Sequence, residues 1–200
     1  MDGTEGCGKS TQSRMLAARL VELGRDVVHV RDPGTTRIGE QIRTLLLDPA
    51  NTEMAMRTEM LLYMSARAQM MTEIITPALD RNALVICDRF VSSTLAYQLG
   101  GDGLTGQQIR NIADVAISRR WPDLTILFDL PVEKSLGRVK RAKDRIEQRP
   151  MEYHEQVRRN YLQQAHENPS GYRVLNADRT PDEIAIDVWG VALKLLEERQ

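Results

Sequence analysis

The feature that most limits what this chain can fold into sits at its start. Gly3-Thr4-Glu5-Gly6-Cys7-Gly8-Lys9-Ser10 is a full match to G-x-x-x-x-G-K-[ST]. Four fixed positions at average residue usage match by chance in roughly one chain of this length in a hundred. The motif asks for a buried strand running into the loop and a helix leaving it. The helix is legible: Met15, Leu16, Ala18, Leu20 and Leu23 recur at helical spacing, and Gly24 closes the run. The strand is not, because only Met1 and Asp2 precede the loop.

Further along, strands and helices alternate. Val27, Val28 and Val30 make a short strand stopped by Asp32-Pro33-Gly34, and Ile38, Ile42, Leu45 and Leu46 mark a helix. A long helical pattern runs from about residue 52 to 79, bent or capped near Pro77. The apolar runs 83–88 (ALVICD) and 124–129 (LTILFD) each end in an acid and read as strands covered on both faces. Between them lie the turn GGDG and a helix over about 106–119. After residue 129 come a helix, a charged segment, a helix over about 150–166 and a short strand, YRVLNA. The last helix opens with Thr180 as N-cap, Pro181 at N1 and Glu183 at N3. This order predicts one α/β domain over 1–200, a parallel sheet with helices on both faces.

Composition narrows the partners. A net charge of −1 gives no global field favouring nucleic acid or an anionic membrane. Cys7 and Cys87 have neither metal-ligand nor disulfide-framework spacing, so both are expected as free thiols in a reducing compartment. No run approaches 18 apolar residues, and the start has no basic-then-apolar signal segment. A cytoplasmic protein is expected.

Glycines let the loop curl so that its N–H groups face phosphate oxygens, and the next helix aims its positive end there. Gly3, Thr4, Glu5, Gly6, Cys7, Gly8, Lys9, Ser10 and Thr11 are the candidate ATP-binding set. Lys9 would reach the β- and γ-phosphates, and the Ser10 hydroxyl would bind Mg²⁺.

Taken together, DGTEGCGKST, RDPGTT, LLYMSARAQ, CDRFVSSTLAYQ, PDLTILFDLP and DRIEQ resemble, in order, the marks of bacterial thymidylate kinases. The resemblance covers essentially the whole chain. It implies a three-layer P-loop NTPase fold, with about five strands in the family, and transfer of the γ-phosphoryl of ATP to dTMP with Mg²⁺. It also implies a homodimer. The Met-rich stretch (Met54, Met56, Met60, Met64, Met70, Met71) would suit a dimer face or a core equally well. In relatives about five apolar residues precede the acid-Gly that matches Asp2-Gly3. The first strand is therefore expected to be missing or truncated, as from a start site placed too late. A truncated, inactive nucleotide-binding protein is then an alternative, as is a kinase for another nucleoside monophosphate. A guanine-specific switch is disfavoured, since the chain has no N-K-x-D stretch.

The resemblance also assigns roles. Arg89 and Arg43 bind the dTMP phosphate, where a planar fork suits bidentate contact. Asp88 sits near Mg²⁺. Tyr63 stacks on thymine and Arg67, four residues on, binds a base oxygen; on sequence alone Tyr63 reads rather as core. Thr94 and Gln98 face the pyrimidine edge and phosphate end, and Tyr97 crowds C2′ of the sugar. Glu5 lies near the 3′-hydroxyl, while Asp32 and Pro33 shape the pocket. Thr35 stands where the family usually has a second glycine. The run RVKRAKDRIEQR, residues 138–149, reads alone as a solvated charged face. By resemblance it is a lid that closes over ATP and brings a cation to the transferring phosphoryl. Arg138, Arg141 and Lys143 are the candidates, Arg141 foremost and placed with Lys9 and Arg89 as catalytic.

Overall fold

Alternating side chains decide the layers. The structure, a computed structural model, describes residues 1–140 and 142–198. The strands are β1 (Asp2–Gly3), β2 (Val27–Arg31), β3 (Leu84–Asp88), β4 (Thr125–Asp129) and β5 (Tyr172–Asn176). Val85 and Cys87 point to one face of the sheet, packing with Val30, Met60, Phe90 and Ile109. Leu84 and Ile86 point to the other, packing with Leu16, Leu20 and Val188. In β4, Ile126 and Phe128 join the second face, whereas Leu127 meets Val157 and Tyr161. This period-two split is what a strand buried on both faces requires.

The helices take their sides accordingly. α1 (Lys9–Glu22) and α9 (Pro181–Glu197) cover one face. α3 (Met56–Met70), α5 (Val91–Tyr97), α6 (Gly106–Ala116) and α8 (Met151–Glu167) supply the other. α2 (Arg37–Leu47) packs on α3, and α7 (Val132–Gly137) follows β4. Thr180 and Glu183 form the expected capping box with Pro181 in the first turn. Thr105 and Gln108 form a second one at the start of α6.

The long helical pattern is interrupted. α3 passes through a wide π turn, Met71–Ile75, into α4 (Thr76–Asp80), with Pro77 in the first turn of α4. Proline has no N–H for the carbonyl four residues back, and a wide turn just before it absorbs the mismatch. Met60, Met64, Met70 and Met71 are all buried in the core, so the Met-rich stretch serves packing.

Of the two expectations for the first strand, missing or truncated, the second holds: two residues of it are in place. β1 is short but present, and it pairs in parallel with β4 in the register Asp2↔Leu127 and Gly3↔Phe128. On its other side the Met1 nitrogen donates to the Cys87 carbonyl at 2.8 Å, and the Arg89 N–H donates to the Met1 carbonyl at 2.9 Å. These two bonds join the β1-β4-β5 ladder to the β2-β3 ladder, so the strands lie in the order β2-β3-β1-β4-β5. Side chains add the anchorage that length does not. The fully buried Asp2 carboxylate accepts from the Phe90 N–H and from the hydroxyls of Ser92, Ser93 and Tyr161. Four donors on one buried carboxylate offset its desolvation and fix β1 to α5 and α8.

Candidate active site

The phosphate loop leaves β1 at the carboxyl edge of the parallel sheet, where open α/β sheets bind ligands. Its turns need glycine. Gly3 and Gly6 have φ of 141° and 71°. A Cβ on Gly6 would lie 2.1 Å from the Ser135 carbonyl oxygen, so α7 packs directly on the loop there. The Ser135 hydroxyl donates to the Glu5 carbonyl and meets the Thr4 hydroxyl at 3.0 Å. Lys9 begins α1, and its Nζ turns back to the Thr4 carbonyl at 2.5 Å and to Cys7 Sγ at 3.5 Å. The Ser10 hydroxyl hydrogen-bonds the Asp88 carboxylate at the end of β3. The two candidate metal ligands are thus brought together. The thiols of Cys7 and Cys87 are both free.

Next to Asp88 the chain is strained. Arg89 has φ of 69°, a left-handed conformation that side chains rarely adopt, and such outliers collect at functional sites. The reward is a guanidinium aimed under the loop. Its Nη1 donates to the Gly3 carbonyl, the Ser93 hydroxyl and the Tyr161 hydroxyl at 3.1, 3.0 and 3.2 Å. Its Nη2 donates to Glu5 Oε1 at 3.1 Å. The Tyr97 hydroxyl donates to the same Glu5 oxygen. Burial alone would raise the Glu5 pKa, but His154, Arg89, Lys9 and Tyr97 together hold it down at about 2. The second oxygen, Oε2, is buried without a hydrogen-bond partner, 3.6 Å from His154 Nδ1.

Arg67 is the most completely committed cation. It is 1% exposed, and its Nε donates to Asp32 Oδ2 at 2.5 Å. Its Nη2 reaches the Phe90 carbonyl at 3.1 Å, and both terminal nitrogens lie 3.3 Å from the Thr94 hydroxyl. Burial pushes the Asp32 carboxyl up, and Arg67 pulls it back part of the way. Arg43 Nη1 donates to the Pro33 carbonyl at 3.1 Å. Gln98 Nε2 donates to Glu59 Oε1 at 2.7 Å.

One cavity of about 370 Å³ gathers these groups. Its walls include Glu5, Gly6, Lys9, Ser10, Asp88 and Arg89 toward the loop. Asp32, Pro33, Arg43, Tyr63, Arg67, Thr94, Tyr97 and Gln98 wall the rest of it. Tyr63 is only half-buried and faces this space rather than the core. Gly3, Thr4, Cys7, Gly8 and Thr11 belong to the loop and the first turn behind the wall, and do not line it. The volume falls within the range of small-molecule sites.

The basic run divides in two. Arg138 and Lys140 line the cavity mouth. Arg138 donates to the Ala177 carbonyl at 3.2 Å and lies 3.9 Å from Asp178. Lys143 is exposed and is not part of the wall, and Arg141 lies outside the described residues. Arg145 and Arg149, by contrast, turn inward onto the fully buried Glu59, each 2.6 Å from Oε2. The reading as a solvated charged face therefore fails for Arg145 and Arg149. Among the described residues no cluster of three His, Cys, Asp or Glu side chains could hold a metal ion by itself.

The family model described as thymidylate kinase matches residues 1–188. The chain belongs to the thymidylate kinase family. It is 45% identical over 199 residues to a thymidylate kinase of Ectopseudomonas mendocina, covering 98% of this chain and 95% of that one. It is 48% identical over 179 residues to one of Pseudomonas entomophila, covering 88% and 85%. Among solved structures, thymidylate kinase from Ehrlichia chaffeensis superposes with a TM-score of 0.78 at 30% identity, covering 96% of this chain and 95% of that one.

Against the thymidylate kinase pattern, three groups of site residues escaped the sequence reading. Asp2 was counted only as a loop neighbour, although an acid with no exposure beside a phosphate loop is a hub by necessity. Ser93, Tyr161 and His154 surround Arg89 and Glu5 from α5 and α8. Glu59 lies in the first turn of α3, between Arg57-Thr58 and the apolar run Met60-Leu61-Leu62, and nothing local marks it as buried. Thr35 stands in the loop after β2 where the family usually has a second glycine. Its φ is 67°, but its hydroxyl exchanges two hydrogen bonds with the backbone of Arg31, at 2.9 and 3.0 Å. A glycine could not make them.

Proposed function

We propose a division of labour among these residues for the family's reaction, phosphorylation of dTMP to dTDP at the expense of ATP. The observation that carries it is the single cavity shared by the phosphate loop and the Arg67–Arg89–Tyr97 wall. Phosphoryl transfer asks the protein mostly to position two polyanions and neutralise the charge between them.

Lys9 leaves the Thr4 carbonyl for the β- and γ-phosphates of ATP, while the loop N–H groups cradle them. Arg89, fixed by Gly3, Ser93 and Glu5, holds the phosphate of dTMP in line, assisted by Arg43. Arg67 donates to a base oxygen, Tyr63 stacks on the ring, and Thr94 and Gln98 meet its edge. Tyr97, held by Glu5, closes the space at C2′ against a ribose hydroxyl. Glu5 Oε2, buried and unpartnered, accepts from the 3′-hydroxyl. The hydroxyl of Ser10 and the carboxylate of Asp88 are hard oxygen donors that already face each other, which suits Mg²⁺. When bound, Mg²⁺ would screen the phosphate charge. Arg138 and Arg141 stand as the lid cations, with Lys143 the outlying candidate; closure keeps water from the γ-phosphoryl.

We also propose a cytoplasmic location and a homodimer. Because the buried methionines serve the core, a dimer face must draw on exposed residues such as Leu45 and Leu61. No helix among the described residues is long and apolar enough to cross a membrane.

The deciding measurement is ADP release from Mg·ATP with dTMP, beside dUMP, dCMP and AMP. A clear preference for dTMP is expected. Equal rates with AMP would overturn the reading.

A further inference from the structure

Glu59 is a puzzle in its own right. It sits on α3 with no exposure, and three donors converge on it. Arg145 and Arg149 take Oε2, and Gln98 takes Oε1 through its amide nitrogen. Arg145 is further pinned by its Nε–H bond to the Leu46 carbonyl at 2.9 Å. Buried charges are rare unless they are paired, and one held by two guanidiniums and an amide is a deliberate fixture.

Its consequence lies at Gln98, which lines the cavity. A side-chain amide has two faces, a donor NH₂ and an acceptor oxygen, and can present either by turning over. A carboxylate accepts and does not donate. Facing Glu59, the amide must therefore give an N–H to Oε1, which turns its oxygen away from Glu59 and toward the cavity. Turned over, the amide oxygen would lie against a buried carboxylate oxygen, which repels it and leaves the NH₂ unpaired.

We infer that Glu59 is a specificity-determining positioning residue: by fixing the Gln98 amide with its acceptor toward the base, it selects a pyrimidine whose N3 carries a hydrogen. Thymine carries that hydrogen and donates it. Cytosine has a bare N3, which would meet the amide oxygen acceptor to acceptor. Arg67 works in the same sense, since it donates to a base oxygen where cytosine has an amino group. Glu59 itself touches no substrate and acts through Gln98. The two arginines keep its carboxylate from swinging away, and they come from the C-terminal end of the 138–149 run. The base-reading amide is thereby tied to residues 145–149.

The inference rests on the dTMP reading above, and the test separates the two. Rates with dTMP and dCMP are compared for wild type, Glu59→Gln, Gln98→Leu and the double variant, as the ratio of kcat/KM values. Wild type must prefer dTMP; if it does not, the dTMP reading falls first. In Glu59→Gln the new amide could accept from Gln98 or donate to it, so the Gln98 amide would no longer have one orientation. The dTMP:dCMP ratio is expected to fall roughly tenfold or more, the scale of one misdirected buried hydrogen bond. In the Gln98→Leu background the second change should leave the ratio where it was, because the group it acts through is gone. Glu59→Asp offers a second route should Glu59→Gln fold poorly. It keeps a carboxylate for the arginines but withdraws it from Gln98, and the ratio should again fall. A merely structural Glu59 would slow both substrates alike. An unchanged ratio in folded Glu59→Gln or Glu59→Asp overturns the inference, as does a further drop in the double variant.

Discussion

The two ends of the cavity are built on opposite plans. At the Arg67–Arg89 end the cations are already bound to fixed protein groups: Arg67 to Asp32, and Arg89 to Glu5 and to neutral acceptors. At the Lys9 end the partners are light. Lys9 rests on a carbonyl of its own loop, and Arg138 and Lys140 stand exposed at the mouth. The difference teaches how a transferase divides its work. A base and a sugar are recognised by shape and by donors that do not move, and these need a rigid shell. A triphosphate brings its own charge, so cations that meet it can wait in weak contacts and give them up at small cost.

Breaking the rigid end should cost the fold. Replacing Arg67 by methionine keeps the volume but strands the Asp32 carboxylate, whose Oδ1 already has no partner. Removing one member of a buried ion pair typically costs about 3–5 kcal/mol. Arg67→Met is therefore expected to lose stability of that order in urea unfolding and to bind dTMP weakly as well. A loss below about 1 kcal/mol would mean that the pair contributes little and that the rigid-end description is wrong.

At the Lys9 end the signs should reverse. Lys9→Met takes away one electrostatic donor to the transferring group, and kcat is expected to fall by about 10²–10³-fold. Stability should stay within about 1 kcal/mol of wild type, because the contacts given up are one carbonyl of the loop and a weak one to Cys7 Sγ. Unfolding curves beside steady-state rates check both. A large loss of stability would show that Lys9 is part of the frame and erase the contrast between the two ends.

The same contrast explains what could be read from the sequence. The strands and most helices follow from apolar period and from stop signals such as Gly24, Asp32-Pro33 and Thr180-Pro181, which act locally. So does the phosphate loop, whose chemistry lies in eight consecutive residues. The rigid end is different, because its partners come from distant elements. Nothing near Glu59 announces Arg145, Arg149 or Gln98, and nothing near Glu5 announces His154 on α8. The resemblance to relatives supplied Arg67, Thr94 and Tyr97 with Glu5 and Asp32, but not the buried Asp2 and Glu59. What holds a β1 of only two residues was hidden for a similar reason. Strand length was counted along the chain, while the anchorage of Asp2 comes from hydroxyls on α5 and α8.

The subtlest test concerns Glu5, which sits between the two ends. Its folded pKa of about 2 lies below the ordinary 4.5, so the folded state favours the ionised form. Stability from this group is fully present above pH 4.5 and is lost as pH falls through that value toward 2. The full contribution is on the order of 3 kcal/mol, of which about 2 kcal/mol should be gone near pH 3. Asp32 works in the other direction, because burial raises its pKa and its contribution is lost as pH rises. A bare pH profile would mix the two. The difference between wild type and Glu5→Gln cancels Asp32, since both proteins retain it. That difference, measured by urea unfolding from near pH 6 to near pH 3, should shrink steadily with acid. If it stays level, Arg89, His154 and Tyr97 do not hold Glu5 ionised, and the arginine end is rigid through shape alone.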